Sequence, residues 1–268
     1  MIQQNAEVRS NQPVKGQHYR MELRVGDTFE EPHPGQFVMV RLPGRLTPLL
    51  RRPFSVHRWF VASESEAVLS LLYRVVGPTT TGLAELHAGD RVDLLGPLGR
   101  GFTLPNSGES VALAGGGIGV APLLFLADRL LETGTAIEDL TVYIGGKSEQ
   151  ELLCTSEFSR LGVKVQTTTD DGSAGDQCLV TDPLEQRIRK DPPDRIYACG
   201  PPGMLDCVVG IVRTHGISCQ LSIETMMACG IGACLGCAVE NRKDPGRYLH
   251  ACLHGPVFDA DRIRLDFR

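Results

Sequence analysis

The stretch Ser110-Val-Ala-Leu-Ala-Gly-Gly-Gly-Ile-Gly-Val-Ala-Pro-Leu-Leu-Phe-Leu-Ala127 decides how this chain folds. It carries no charge, and its 18 residues approach the lower limit of about 17 for a membrane-spanning helix. Three successive glycines and Pro122 break it, so no membrane span is expected. Val111–Ala114 reads as a buried strand and Gly115–Gly119 as a tight turn. Pro122–Thr133 reads as a helix, with Leu123, Leu126, Ala127, Leu130 and Leu131 recurring near a 3.6 period. Pro122 suits the first helical turn, where a missing N–H costs little. The backbone N–H groups of such a turn, with the helix N-terminus, can cradle a pyrophosphate. It is not the Rossmann fingerprint. From Gly115 or Gly117 the third glycine of G-x-G-x-x-G falls on Val120 or Pro122. Taken alone, the stretch is a moderate signal for a ligand, with a tight strand–helix turn without one as the alternative.

Downstream, Leu140–Ile144, Val163–Thr168 and Arg195–Ala198 read as further strands. Strands alternating with helices predict a parallel sheet with helices on its faces. Tyr197-Ala-Cys199-Gly-Pro-Pro-Gly-Met204 is a second sharp strand-to-helix break. Alone it is an ordinary Gly/Pro turn with a buried Cys199. Paired with the first, it becomes a second loop at the C-terminal edge of the sheet, where open α/β folds bind ligands.

Upstream, residues 1–105 read as short strands between Gly/Pro turns: Gln36–Leu42, Ser55–Val61, Val68–Val76 and Arg91–Leu95. This helix-poor pattern predicts a small antiparallel barrel. Pro105-Asn106-Ser107-Gly108 marks the boundary turn. The barrel segment contains Arg51-Arg52-Pro53-Phe54-Ser55, then Leu72-Tyr73-Arg74-Val75-Val76-Gly77 and Thr79-Thr80-Thr81. Arginine offers a fixed fork for a phosphate. Phe54 and Tyr73 could line a flat aromatic ligand, with Ser55 bonding its edge. Read singly, each fits a barrel strand with solvated arginines better than a ligand site.

The last segment holds four of the nine cysteines within 24 residues: Cys229-Gly-Ile-Gly-Ala-Cys234-Leu-Gly-Cys237 and, after fourteen residues, Cys252. The spacing C-x4-C-x2-C…C is that of plant-type [2Fe–2S] ferredoxins. Gly230, Gly232 and Gly236 would let backbone N–H groups approach the sulfurs. Zinc sites use two C-x2-C pairs or Cys/His pairs, and only one C-x2-C occurs here. His250 and His254 flank Cys252, so a mixed zinc site stays open at this point, as do unligated thiols. An odd cysteine count and no apolar leader in residues 1–25 argue against a disulfide framework. With 42% hydrophobic residues the chain can bury a core, and a net charge of −5 without a Lys/Arg run makes nucleic acid an unexpected partner.

Together the motifs resemble the ferredoxin–NADP reductase-like superfamily. Within it, the added cysteine module is most similar to the electron-transfer subunits of type B, NAD-dependent dihydroorotate dehydrogenase. Thr47–Pro53, Gly89–Phe102 and His254–Phe258 extend the resemblance, which runs from about Pro34 to Phe258. It implies an FAD-binding β-barrel (1–105), an NAD-binding α/β domain (106–217) and a [2Fe–2S] module (218–268). Arg52, Pro53, Phe54, Ser55, Tyr73, Arg74, Val75, Thr80 and Thr81 would bind FAD. Gly115, Gly116, Gly117, Gly119, Cys199, Gly200 and Pro201 would bind NAD(H). Cys229, Cys234, Cys237 and Cys252 would hold the cluster.

The resemblance further implies an oxidoreductase of pyrimidine biosynthesis. Hydride moves between nicotinamide and flavin and single electrons pass to the cluster, with no general base required of this chain. The three segments use the whole length, which leaves no room for a dihydroorotate pocket. A separate FMN-bearing catalytic subunit is therefore implied, in a cytoplasmic heterotetramer of two of each chain. A diaphorase subunit of a hydrogenase or of a ferredoxin:NAD(P) oxidoreductase would carry the same motifs. So would a zinc-stabilised nucleotide-binding module without redox work, at the level of the cysteines alone.

Three departures from the family pattern stand out. Thr79 occupies a position where glycine is usual. Met226 and Met227 fill a stretch where an arginine is common. Cys178 stands where glycine is usual. Asp170 and Asp171 follow the Val163–Thr168 strand, where relatives that use NADP place Ser/Arg, and their charge favours NAD over NADP. Lys147 and Arg160 could supply a counteracting cation.

Overall fold

A computed structural model describes residues 1–44, 47–63 and 66–265. The chain opens with two long hairpin strands, β1 (Ile2–Lys15) and β2 (His18–Val25), followed by β3 (Phe37–Arg41), β4 (Arg52–Ser63) and β5 (Glu66–Arg74). A short helix, α1 (Pro78–Ala84), leads to β6 (Arg91–Leu98). The six strands close into an antiparallel barrel in the order β1-β2-β5-β4-β3-β6. Alternation fills it: Val8, Leu23, Val38, Val40, Leu69, Val92 and Leu94 are fully buried inside. Each such side chain contributes about 1.5–3 kcal/mol by leaving water. The sequence reading missed β1 and β2. Strand β1 is largely polar, and only Ala6 and Val8 of its residues are buried, so it lacks a run of alternating apolar positions.

The second unit begins with β7 (Val111–Gly116) and α2 (Val120–Glu132), then β8 (Leu140–Gly146), α3 (Thr155–Arg160), β9 (Lys164–Thr169), α4 (Thr181–Lys190), β10 (Arg195–Cys199), α5 (Pro202–His215) and β11 (Ser218–Ser222). These strands pair in parallel. After them come the hairpin β12 (Ala238–Glu240) and β13 (Tyr248–His250), the single-turn α6 (Ala251–His254) and β14 (Val257–Asp259). The sheet order is β14-β11-β10-β7-β8-β9, with β14 antiparallel to β11. On one face Leu113 packs with Leu123, Leu126 and Leu130 of α2 and Phe158 of α3. On the other, Leu184 of α4 and Val208 and Val212 of α5 pack with Ile196 and Leu221.

Two expectations shift. Helix α2 starts at Val120 rather than Pro122, because a single 3-10 turn at Gly117–Gly119 feeds directly into it. The boundary drawn at residue 217 falls inside the α/β sheet, since β11 and β14 are two of its strands. The cysteine segment is an excursion between them, and residues 266–268 of that segment lie outside the described ones. Among the described residues no helix is long and apolar enough to cross a membrane.

The barrel rests on helix α2 through β4. Arg58 of β4 forks onto the Asp128 carboxylate (Nε to Oδ2 2.8 Å, Nη2 to Oδ1 2.9 Å). His57 is buried and donates from Nδ1 to the Ala121 carbonyl at 3.0 Å.

Candidate functional site

A cleft of about 560 Å³ lies between barrel and sheet. Strand β4 brings Arg52, Pro53, Phe54 and Ser55 to one wall, and the end of β5 brings Tyr73 and Arg74. Tyr73 is fixed from three sides. Its ring stacks on Tyr19 (centroids 5.8 Å apart) and meets Phe54 edge-on (5.9 Å), and its hydroxyl donates to Asn11 Oδ1 at 3.0 Å. Arg52 turns its guanidinium back onto the carbonyls of Leu50 and Arg51 (3.0 and 3.3 Å). Arg74 reaches Glu151 at 3.7 Å across the domain boundary. Thr80 lines the cleft with its hydroxyl already committed: it accepts the N–H groups of Val76 and Gly77 and donates to the Gly77 carbonyl. Val75 and Thr81 are not in the lining, while Thr79 is.

The opposite wall is the glycine turn after β7, with Ile118, Gly119, Ala121 and Pro122 in the lining, and Cys199 at the end of β10. Strands β7 and β10 are neighbours in register, with Gly115 opposite Cys199, so both loops leave the same sheet edge. They touch closely. A Cβ on Gly119 would lie 2.3 Å from the Cys199 carbonyl oxygen, and one on Gly116 would meet Met204 Sδ at 2.6 Å and Pro201 Cδ at 2.7 Å. These glycines are required by loop-on-loop packing. Gly117 differs: its φ is +52° and a Cβ there would meet nothing within 4 Å. Of the four glycines it alone joins a left-handed backbone to open space. Cys199 is buried, and burial, helped by the nearby Glu224 carboxylate, pushes its thiol up to about 12.

The sequence reading missed a third wall. Ile223, Glu224, Thr225, Met227 and Pro256 also line the cleft. They follow β11 or precede β14, at the same sheet edge; Met227 and Pro256 fall in stretches compared with the family above, while no local motif marks Ile223, Glu224 or Thr225. Burial raises the Glu224 carboxyl above the usual carboxylate range. Two hydroxyls among the lining residues, those of Thr79 and Thr225, are buried without a hydrogen-bond partner. With aromatic walls, two arginines and these unsatisfied hydroxyls, the cleft suits a flat, phosphate-bearing ligand such as FAD.

From Met227 the chain runs two residues to Cys229, at most about 7–8 Å between Cα atoms. Cys237 and Cys252 bring their thiols together, while Cys229 and Cys234 share one loop. Cys237 and Cys252 have their sulfurs 3.2 Å apart, beneath the surface. Cys229 Sγ receives the N–H groups of Ile231 (3.5 Å) and Cys234 (3.4 Å). Burial alone would raise the Cys229 thiol, and these donors outweigh it, bringing it down to about 7. Burial and the neighbouring Cys237 push Cys252 up to about 12. Among the described residues no three His, Cys, Asp or Glu side chains converge as a cage for one ion. A sulfur pair together with backbone donors on a second thiol is a donor set a two-iron cluster could use, with two sulfurs for each iron. Gly230 and Gly232 have positive φ (74° and 82°), whereas Gly236 does not. His250 and His254 hydrogen-bond each other, main-chain N–H to Nδ1, at 3.0 Å.

Residues 224–264 match the family described as the iron-sulfur cluster binding domain of dihydroorotate dehydrogenase B, and residues 113–210 that described as the oxidoreductase NAD-binding domain. The chain is 39% identical over 246 residues to the dihydroorotate dehydrogenase B (NAD(+)), electron transfer subunit, of Desulforamulus reducens, covering 91% of this chain and 92% of that one. It is 36% identical to the subunit of the same name from Geobacillus sp., covering 99% and 100%. A solved NADH-dependent reduced ferredoxin-NADP oxidoreductase superposes with a TM-score of 0.84 at 28% identity, over 97% of this chain and 90% of that one. A ferredoxin NADP+ reductase from Neisseria gonorrhoeae with bound FAD and NADP shares the fold, with a TM-score of 0.66 at 16% identity over 80% of this chain and 92% of that one.

Proposed function

Because this chain belongs to the family of dihydroorotate dehydrogenase B (NAD(+)) electron transfer subunits, we propose that it relays electrons between NAD(H) and a separate catalytic subunit that oxidises dihydroorotate. When bound, FAD and a [2Fe–2S] cluster supply the conversion between a two-electron hydride donor and single-electron transfer. Arg52, Pro53, Phe54, Ser55, Tyr73, Arg74 and Thr80 would hold the FAD, with Thr79 as a further contact and Val75 and Thr81 supporting from outside the lining. Gly115, Gly116, Gly117, Gly119, Cys199, Gly200 and Pro201 would form the NAD(H) side. Cys229, Cys234, Cys237 and Cys252 would hold the cluster.

The observation that carries this reading is continuity. The segment that forms the third cleft wall, Ile223 to Met227, leads straight into Cys229. The chain's own residues therefore do three things. Phe54 and Tyr73 give the cleft rigid aromatic sides. Cys199, kept protonated, adds a neutral, water-excluding floor. The Cys229 loop collects backbone N–H groups that favour thiolate. None of these steps needs a general base.

The partner would be an FMN-bearing catalytic chain, in a heterotetramer of two of each, working in the cytoplasm, where free thiols persist. Met226 is 89% exposed beside the cluster loop, a side chain a partner could cover. Relatives named as dihydroorotate dehydrogenase subunits lie above the oxidoreductase structure in identity (39% against 28%), which disfavours the diaphorase alternative. Purified alone, the chain should contain FAD and iron and oxidise NADH with an artificial acceptor. Full-rate oxidation of dihydroorotate by the chain alone would contradict the subunit assignment.

A further inference from the structure

In a regular strand, successive side chains point to opposite faces. His57 and Arg58 are successive residues of β4, yet both reach the same helix, α2: His57 bonds Ala121 and Arg58 bonds Asp128. A bulge makes this possible. The register of β4 with β5 shifts between Val56, opposite Leu71, and Arg58, opposite Ser70, which leaves His57 as the extra residue. Bulges re-aim a side chain and are frequent beside active sites. Val56 stays in the barrel core, while His57, 1% exposed, is turned onto the helix.

The two ends of this contact are each adjacent to the cleft. Ser55, two residues before His57, lines one wall, and Ala121 itself and Pro122 line the other. We infer that the bulge at His57, with the Arg58–Asp128 fork, is a two-point clamp that fixes the flavin-side strand against the nucleotide-side turn. His57 and Arg58 are thus positioning residues for hydride transfer. The inference rests on the reading of the cleft as the FAD–nicotinamide site. The His57 ring is buried beside Arg58, Arg20 and Glu157, and burial holds it neutral, as a clean Nδ1–H donor to a carbonyl oxygen requires. Hydride transfer demands close, aligned reacting atoms, and a misplacement of about 1 Å can cost about a hundredfold in rate. A clamp of this kind should therefore act on the rate of the bound complex more than on binding.

The test is rapid-mixing reduction of the full FAD-loaded chain by NADH, with FAD content and NADH dissociation constant measured in parallel. His57→Leu and Asp128→Asn should each lower the flavin reduction rate at saturating NADH by about tenfold or more. FAD content should stay at the wild-type level. His57→Asn, whose amide can donate near the former Nδ1 position, should recover most of the loss. Should His57→Leu fail to fold, Asp128→Asn, partly exposed on the helix surface, decides alone. Wild-type reduction rates in the folded variants would overturn the clamp. A wild-type chain that takes up no flavin would overturn the reading of the cleft, and the clamp with it.

Discussion

At the scale of single residues, four glycines that look alike in the sequence have separate jobs. Gly116 and Gly119 are fixed by contacts with the Cys199–Pro201 loop, which no local motif could reveal. Gly117 alone faces open space at positive φ. Gly119→Ala should therefore destabilise the fold by about 1–3 kcal/mol through overpacking against backbone, measurable by denaturant unfolding. Gly117→Ala should cost about 1–2 kcal/mol in stability, the penalty of a Cβ at positive φ, while raising the KM for NADH. An unchanged KM for NADH in the folded Gly117→Ala variant would remove Gly117 from nucleotide binding. The carboxylates after β9 also separate. Asp171 is held by Ser173, accepting its main-chain N–H at 2.9 Å and its hydroxyl at 2.6 Å, and its own N–H bonds the Lys147 carbonyl at 3.2 Å. No side-chain partner fixes Asp170 among the described contacts. Asp170→Asn should narrow the NADH/NADPH preference in kcat/KM by roughly fivefold, the effect of about 1 kcal/mol of exposed repulsion. An unchanged ratio would remove Asp170 from selectivity. Nothing in the structure explains Cys178 in place of glycine.

At the scale of elements, strands and helices with strong apolar periodicity were legible: β7, β8, β9, β10 and α2 fall where the pattern puts them, within a residue or two. The polar β1 and the bulge in β4 were not, because both depend on what packs across from them. The bulge has a thermodynamic consequence. Burial lowers the His57 pKa from 6.5 to about 4. A group whose folded-state pKa is depressed disfavours the folded form once the unfolded chain takes up the proton. His57 therefore leaves stability unaffected above pH 6.5 and removes it progressively as pH falls from about 6.5 to about 4. The full shift corresponds to about 3 kcal/mol as an upper figure. Urea midpoints of wild type and His57→Asn, compared at pH 7, 5.5 and 4, should converge or cross as the pH falls. A pH-independent gap between them would show that His57 does not titrate in this window.

At the scale of the whole molecule, the C-x4-C-x2-C…C spacing points to the cysteine loop as the place for a cluster, and the Cys237–Cys252 sulfur contact and the N–H groups on Cys229 Sγ are what that loop offers one. What spacing could not convey is that the loop springs from the sheet itself. Its first residues wall the cleft, and its return strand β14 pairs with β11. The flavin strand, the nucleotide turn and the cysteine loop thus meet at one sheet edge although they are up to about 180 residues apart in sequence. The partner's substrate chemistry has no counterpart in this arrangement, which is why the sequence alone separated related electron-transfer complexes poorly. The most direct measurement is dihydroorotate:NAD+ oxidoreductase activity of the complex isolated with its catalytic partner, compared with the same complex carrying Cys237→Ser. The account predicts activity only when both chains are present. In the variant that coupled activity should be lost, while the partner still oxidises dihydroorotate with an artificial acceptor. Undiminished NAD+ reduction in the Cys237→Ser complex, with its iron content lost, would contradict it.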